Sequence, residues 1–227
     1  MSDHIEPPVN PLPGIVVALA LPIVAIELWL GAGARGFVGG PEAIGWRLDA
    51  IREYGFFSEL LGFMYLTGQW SIEHVARFLT YPFVHFNFTH ALMVLVFLLA
   101  LGKMVGEIFS TVAFLVVFFG SAFLGAVAYA VIAHDATPLV GGYPAVYGLI
   151  GAYTYLLWVQ AARMGTSQYR AFTLIGFLLA LQLIFGVLFG GNRQWIAEVA
   201  GFGSGFLLSF LVGPGGWQQI RQKLRAR

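Results

Sequence analysis

Six apolar runs follow one another along the chain, at about 14–33, 80–102, 108–133, 144–162, 171–190 and 195–213. Each is long enough to cross the hydrocarbon core of a bilayer, which takes roughly 17–25 helical residues. None shows the alternation of a barrel strand. Backbone groups in lipid must also bond within their own segment, so the pattern predicts six membrane helices. Between the first two runs, residues 34–77 mix Arg35, Arg47, Arg52 and Arg77 with five acids. The same stretch carries Ile44, Leu48, Ile51, Phe57, Leu60 and Leu61 near helical spacing, which predicts a pair of interfacial amphipathic helices. Polar, Pro-rich residues 1–11 have neither the basic segment nor the cleavage site of a signal peptide. The expected organisation is a short tail at 1–11, a membrane domain at 12–213 with 34–77 as its first loop, and a basic tail at 214–227.

Composition narrows the class. The 227 residues are 59% hydrophobic and only 10% charged, with a mean hydropathy of +0.80. A soluble domain is about 25% charged. These values exclude a disordered chain, a nucleic-acid binder and an ordinary cytosolic enzyme, and predict an all-α polytopic membrane protein with lipid as its first partner. Twenty-nine glycines suit close helix packing. The absence of cysteine removes disulfides and thiol catalysis. Six spans put both termini on one side. That side collects Lys103, Arg163, Arg170, Arg221, Lys223, Arg225 and Arg227, whereas the short loop opposite has Arg193 and the long first loop balances its arginines with acids. The bias predicts cytoplasmic termini and fits a bacterial inner membrane.

Ionisable residues within spans are costly, about 2.5–3.5 kcal/mol at the bilayer centre, and so mark candidate sites. They are Glu27, His85, His90 and Glu198. His85 and His90 are five apart, a spacing that does not stack side chains on a regular helix. The plain reading is two neutral histidines bonded to backbone. Gly141-Gly142-Tyr143-Pro144 reads as a tight turn into the fourth span, with Pro144 at its first helical position. The Gly142 and Tyr143 N–H groups could form an anion nest there. In the sixth span, Gly201 and Gly205 form a face for close packing, and Glu198 lies three residues before it. Glu198 therefore points inward, toward a tyrosine hydroxyl or a histidine of a neighbouring span. A cation site at His85, His90 and Glu198 would require all three to converge; no metal and no cofactor is expected.

Taken together, these residues resemble the rhomboid family of intramembrane serine proteases, from about Arg77 to Leu211. The second-span block is similar to the family's Arg-x-x-Thr-x-x-x-x-His-x-x-x-x-His at Arg77, Thr80, His85 and His90. The fourth-span block matches Gly-x-Ser-Gly-Ala-x-x-Gly-x-x-Gly-Ala-Tyr at Gly141, Ala145, Gly148, Gly151, Ala152 and Tyr153. The sixth-span block matches Ala-His-x-Gly-Gly-Phe-x-x-Gly at Ala197, Gly201, Phe202 and Gly205. The resemblance implies a six-helix rhomboid-like bundle with a gate and a water-accessible notch.

It also implies a serine in the fourth span, a histidine in the sixth and an oxyanion-side asparagine in the second. Those positions hold Tyr143, Glu198 and Val94; Pro144 follows Tyr143, and His90 remains on the oxyanion side. A slip of register does not restore the pair. No serine occurs between Ser121 and Ser167, and no histidine after His134. A hydroxyl is a poor nucleophile without a base beside it. The resulting expectation is a non-cleaving family member, a pseudoprotease that binds transmembrane segments of client proteins at His85, His90, Gly141, Gly142, Tyr143 and Glu198, with Gly148, Gly151, Gly201 and Gly205 packing its helices. Tyr143 and Glu198 are expected to hydrogen-bond to each other. An active endopeptidase with unconventional chemistry is the alternative. A second alternative is a structural subunit of a membrane complex, for which the aromatic first loop (Trp46, Phe56, Phe57, Phe63, Tyr65, Trp70) offers a surface.

Overall fold

The computed structural model describes residues 11–189 and 192–214; apart from Pro11 and Pro214, both expected tails lie outside the described residues. Nine α-helices occur among the described residues: α1 Gly14–Ala34, α2 Trp46–Tyr54, α3 Ser58–Thr67, α4 Ile72–Thr80, α5 Phe88–Gly106, α6 Thr111–Ala128, α7 Tyr143–Arg163, α8 Thr173–Phe189 and α9 Trp195–Val212. A π-helical turn, Tyr129–Ala133, prolongs α6 until His134 enters the left-handed region at φ 44° and stops it. Among the described residues, five helices are long and apolar enough to span a membrane: α1, α5, α6 with its extension, α7 and α9. α8, at 17 residues, sits at the lower limit for a span. The architecture is an all-α membrane bundle.

Two expectations need correcting. The second apolar run was expected to become helical near residue 80, but α5 starts at Phe88. Pro82 and the short 3₁₀ turn Tyr81–Phe83 break the run, and the Asn87 side chain then caps α5 by accepting from the His90 N–H at 2.9 Å. The first loop holds three α-helices after a 3₁₀ turn, Gly40–Gly45, rather than a pair. Gly55 ends α2, and Gly68, at φ +67°, ends α3.

That loop is firmly attached. At the end of α2, where helix carbonyls lack partners, the Arg77 guanidinium donates to the Arg52 and Gly55 carbonyls at 2.8 and 3.0 Å. The Thr80 hydroxyl donates to the Tyr54 carbonyl. Phe56 and Leu139 exchange two backbone hydrogen bonds, which tie the loop to the α6–α7 connection.

α7 is the central helix, packed on both α6 and α9. Small residues allow this. A Cβ on Gly205 would run into the Gly148 backbone, one on Gly201 into the Pro144 carbonyl, one on Gly151 into the Phe202 carbonyl and one on Gly148 into the Ser121 hydroxyl. The α7 and α9 backbones are therefore in direct contact, which maximises dispersion where lipid supplies no hydrophobic drive. Since α5, α7 and α9 run in one direction, their N-termini share one end of the bundle, together with the first loop and the 134–142 connection.

Candidate functional site

The site is assembled at that shared end. His85 lies in the extended segment between the Tyr81–Phe83 turn and α5, while His90 occupies the first turn of α5. The helix spacing rule therefore does not apply to the pair, and their rings meet edge to face at 5.1 Å. His85 is 1% exposed. Its Nε2 accepts from the Gly142 N–H at 3.4 Å, and the ring also bonds to the Phe83 backbone. Burial drives its pKa from 6.5 down to about 3, with the neighbouring His90 and Arg47 adding to the shift. His85 is a neutral structural clip between the α5 entrance and the α7 turn.

The turn itself explains its glycines. Gly141 sits at φ +89°, and a Cβ there would fall 2.6 Å from the His90 ring atoms Cε1 and Nε2. Its N–H donates to the Tyr81 carbonyl at 2.9 Å. A Cβ on Gly142 would lie 2.8 Å from Val94 Cγ1, so Val94 fills the space beside the turn. The expected anion nest is not free, because the Gly142 N–H is taken by His85. Tyr143 opens α7 and Pro144 follows it, one position later in the helix than expected. Phe86, His90 and Tyr143 form a stacked column, with centroid spacings of 5.8 and 5.1 Å.

Behind the histidines lies an ion pair that connects three elements. Arg47 of α2 holds Glu27 of α1 through both guanidinium nitrogens, at 2.6 and 2.9 Å, and also donates to the His85 carbonyl at 2.9 Å. Glu27, an ionisable residue within a span, thereby has its countercharge.

Tyr143, Tyr147 and Glu198 face a cleft of about 320 Å³ lined also by Met93 and Phe97 of α5, Val146 and Ile150 of α7, and Leu178, Leu181 and Gln182 of α8. Glu198 is 8% exposed. Its partner differs from the expected one: the carboxylate accepts from the Gln182 amide of α8, not from the Tyr143 hydroxyl. Gln182 went unnoticed in the sequence, although it and Thr173 are the polar side chains of an otherwise apolar run at 171–190. Arg47 was passed over as one of several loop arginines. His85, His90 and Glu198 do not converge. Among the described residues, no three His, Asp or Glu side chains gather as a metal centre requires.

Comparison with known proteins gives a consistent picture. A family model described as "Rhomboid domain" matches residues 73–215. "Putative rhomboid protease YdcA" of Bacillus subtilis (strain 168) is 29% identical over 140 residues, 60% of this chain. The matched region spans 66% of that relative's length.

Proposed function

This chain belongs to the rhomboid family, and from that premise we propose that it is a non-cleaving member that binds transmembrane segments of client proteins. The supporting observation is the cleft between α5, α7, α8 and α9, which Tyr143 and Glu198 both line; on the resemblance given above, these two residues stand where the family has its serine and histidine. Tyr143 is packed flat on His90, and among the described residues no base is hydrogen-bonded to its hydroxyl. Ser204 and Thr154 offer no substitute. Ser204 donates to the Ala200 and Gly201 carbonyls of its own helix. Thr154 is 1% exposed, away from the cleft lining. In this reading a client helix approaches between α5 and α8 and is retained or passed on uncut. The membrane is a bacterial inner membrane, with both termini cytoplasmic.

The test pairs two assays on one preparation. Purified chain in nanodiscs is expected neither to cleave a generic rhomboid substrate nor to react with a fluorophosphonate, while photocrosslinkers placed at Met93 or Leu181 capture intact single-span proteins. Cleavage would favour the second reading, an active endopeptidase, which the name of the Bacillus subtilis relative supports.

A further inference from the structure

Glu198 is a buried carboxylate without a countercharge. It lies in the α5–α8 cleft, and its hydrogen-bond partner, Gln182, is neutral. Among the described residues, the arginines at this end are engaged elsewhere: Arg35 with the Gly31 carbonyl, Arg47 with Glu27, Arg52 with Asp49, Arg77 with carbonyls of the first loop, and Arg193 with the Ala133 carbonyl. A buried charge of this kind is costly unless it is paired.

The remaining lining suits a cation. With one amide N–H on Glu198, Gln182 keeps a second N–H and a carbonyl oxygen, and the oxygen can accept from a cationic head. Tyr143 and Tyr147 are one turn apart on α7 and both line the same cleft. Tyrosine faces attract ammonium and guanidinium groups. The rest of the wall is apolar, from Met93, Phe97, Val146, Ile150, Leu178 and Leu181. At about 320 Å³ the cleft admits a side chain, not a helix.

We propose that the cleft selects transmembrane segments carrying a lysine or arginine within their apolar stretch, the cationic head pairing with Glu198 between Tyr143, Tyr147 and Gln182. Such a residue is costly in lipid; the cleft relieves that cost and completes the charge of Glu198. This inference rests on the client-binding reading above and specifies its ligand.

The test uses the full chain in phosphatidylcholine nanodiscs with fluorescent Leu/Ala peptides of membrane-spanning length. One peptide has a central lysine, one has leucine there, and one has Nε-acetyl-lysine, which keeps the shape without the charge. The expected result is at least tenfold tighter binding of the lysine peptide than of the other two. Glu198→Gln is expected to reduce the lysine peptide to the level of the leucine peptide. Equal binding of all three peptides overturns the charge selection but leaves client binding in place. No saturable binding of any peptide overturns both. A lysine preference that persists in folded Glu198→Gln overturns the role of Glu198. Loss of the preference on adding phosphatidylethanolamine overturns the selection of client segments and assigns the site to a lipid amine. Because the acetyl-lysine comparison uses the unaltered chain, it decides the matter even if Glu198→Gln does not fold.

Discussion

At the scale of single residues, burial determines which polar groups the fold depends on. Glu27 is 7% exposed and is held by both nitrogens of Arg47. Removing one partner of a buried pair leaves an uncompensated charge, at a cost of about 3–5 kcal/mol, whereas removing both is far milder. Arg47→Leu is therefore expected to lower the melting temperature in detergent sharply, and Glu27→Leu added to it should recover much of the loss. Additive losses in this double-mutant cycle would mean that the pair is not coupled. Glu198 is expected to behave in the same way toward Gln182. Glu198→Gln keeps a hydrogen-bonded amide in the cleft, while Glu198→Leu strands the Gln182 amide and should cost about 1–3 kcal/mol more. Equal melts of the two variants would count against the bond. Gly141 is limited in two ways, by its φ of +89° and by the His90 ring beside it. Gly141→Ala is expected to destabilise by about 1–3 kcal/mol.

At the scale of elements, close packing and local geometry explain both what the sequence revealed and what it concealed. The six apolar runs and the glycine faces were legible because span length and small residues act locally, whatever the partner. The α7–α9 contact divides neighbouring glycines into two kinds. Gly205 has the Gly148 backbone against it, and Gly203 has nothing within 4 Å. Gly203→Ala should be neutral or gain up to about 1 kcal/mol through helix propensity, while Gly205→Ala should lose about 1–3 kcal/mol through overpacking. Side-chain pairing across elements was not legible. The spacing of His85 and His90 argues against contact only if one helix runs on from residue 80; Asn87 instead caps a helix that starts at Phe88. Gln182 is isolated in its run, so no local pattern ties it to Glu198, sixteen residues away.

The His85 clip carries a pH prediction. Unfolded, its imidazole binds a proton near pH 6.5; folded, only near 3. Between those values the unfolded state holds more protons, so the His85 contribution is constant above about 6.5 and is lost as pH falls, by up to about 1.4 kcal/mol per pH unit. Melts from pH 7.5 to 4.5 should show this slope. His85→Gln, which can still accept from Gly142 and donate to Phe83, should flatten it. An unchanged slope in that variant would assign the titration elsewhere.

At the scale of the whole molecule, contacts among loops sort the chain into two ends. The first loop meets the α6–α7 connection through Phe56 and Leu139 and through the Ser58 hydroxyl on the Asp135 carbonyl. The Gln194 amide reaches the Pro138 carbonyl at the same end. At the other end, Gly106 lies against Pro13, and Gly213 against Tyr155 and Phe109. Loops 34–87, 134–142 and 192–194 therefore share one side of the bilayer, and the α5–α6 and α7–α8 turns share the opposite side. The basic residues Lys103, Arg163 and Arg170 lie near the second end; the orientation proposed above puts that end in the cytoplasm and the cleft toward the outer face. The chain contains no cysteine, so any introduced thiol reports alone. Cysteines replacing the exposed Trp70 and Asn192 are expected to react with a membrane-impermeant maleimide added to intact cells, whereas cysteine at Thr166 reacts only after permeabilisation. The reverse pattern would invert the topology. Labelling of both groups in intact cells would break the two-ended arrangement itself, and with it the route by which a client side chain reaches Glu198.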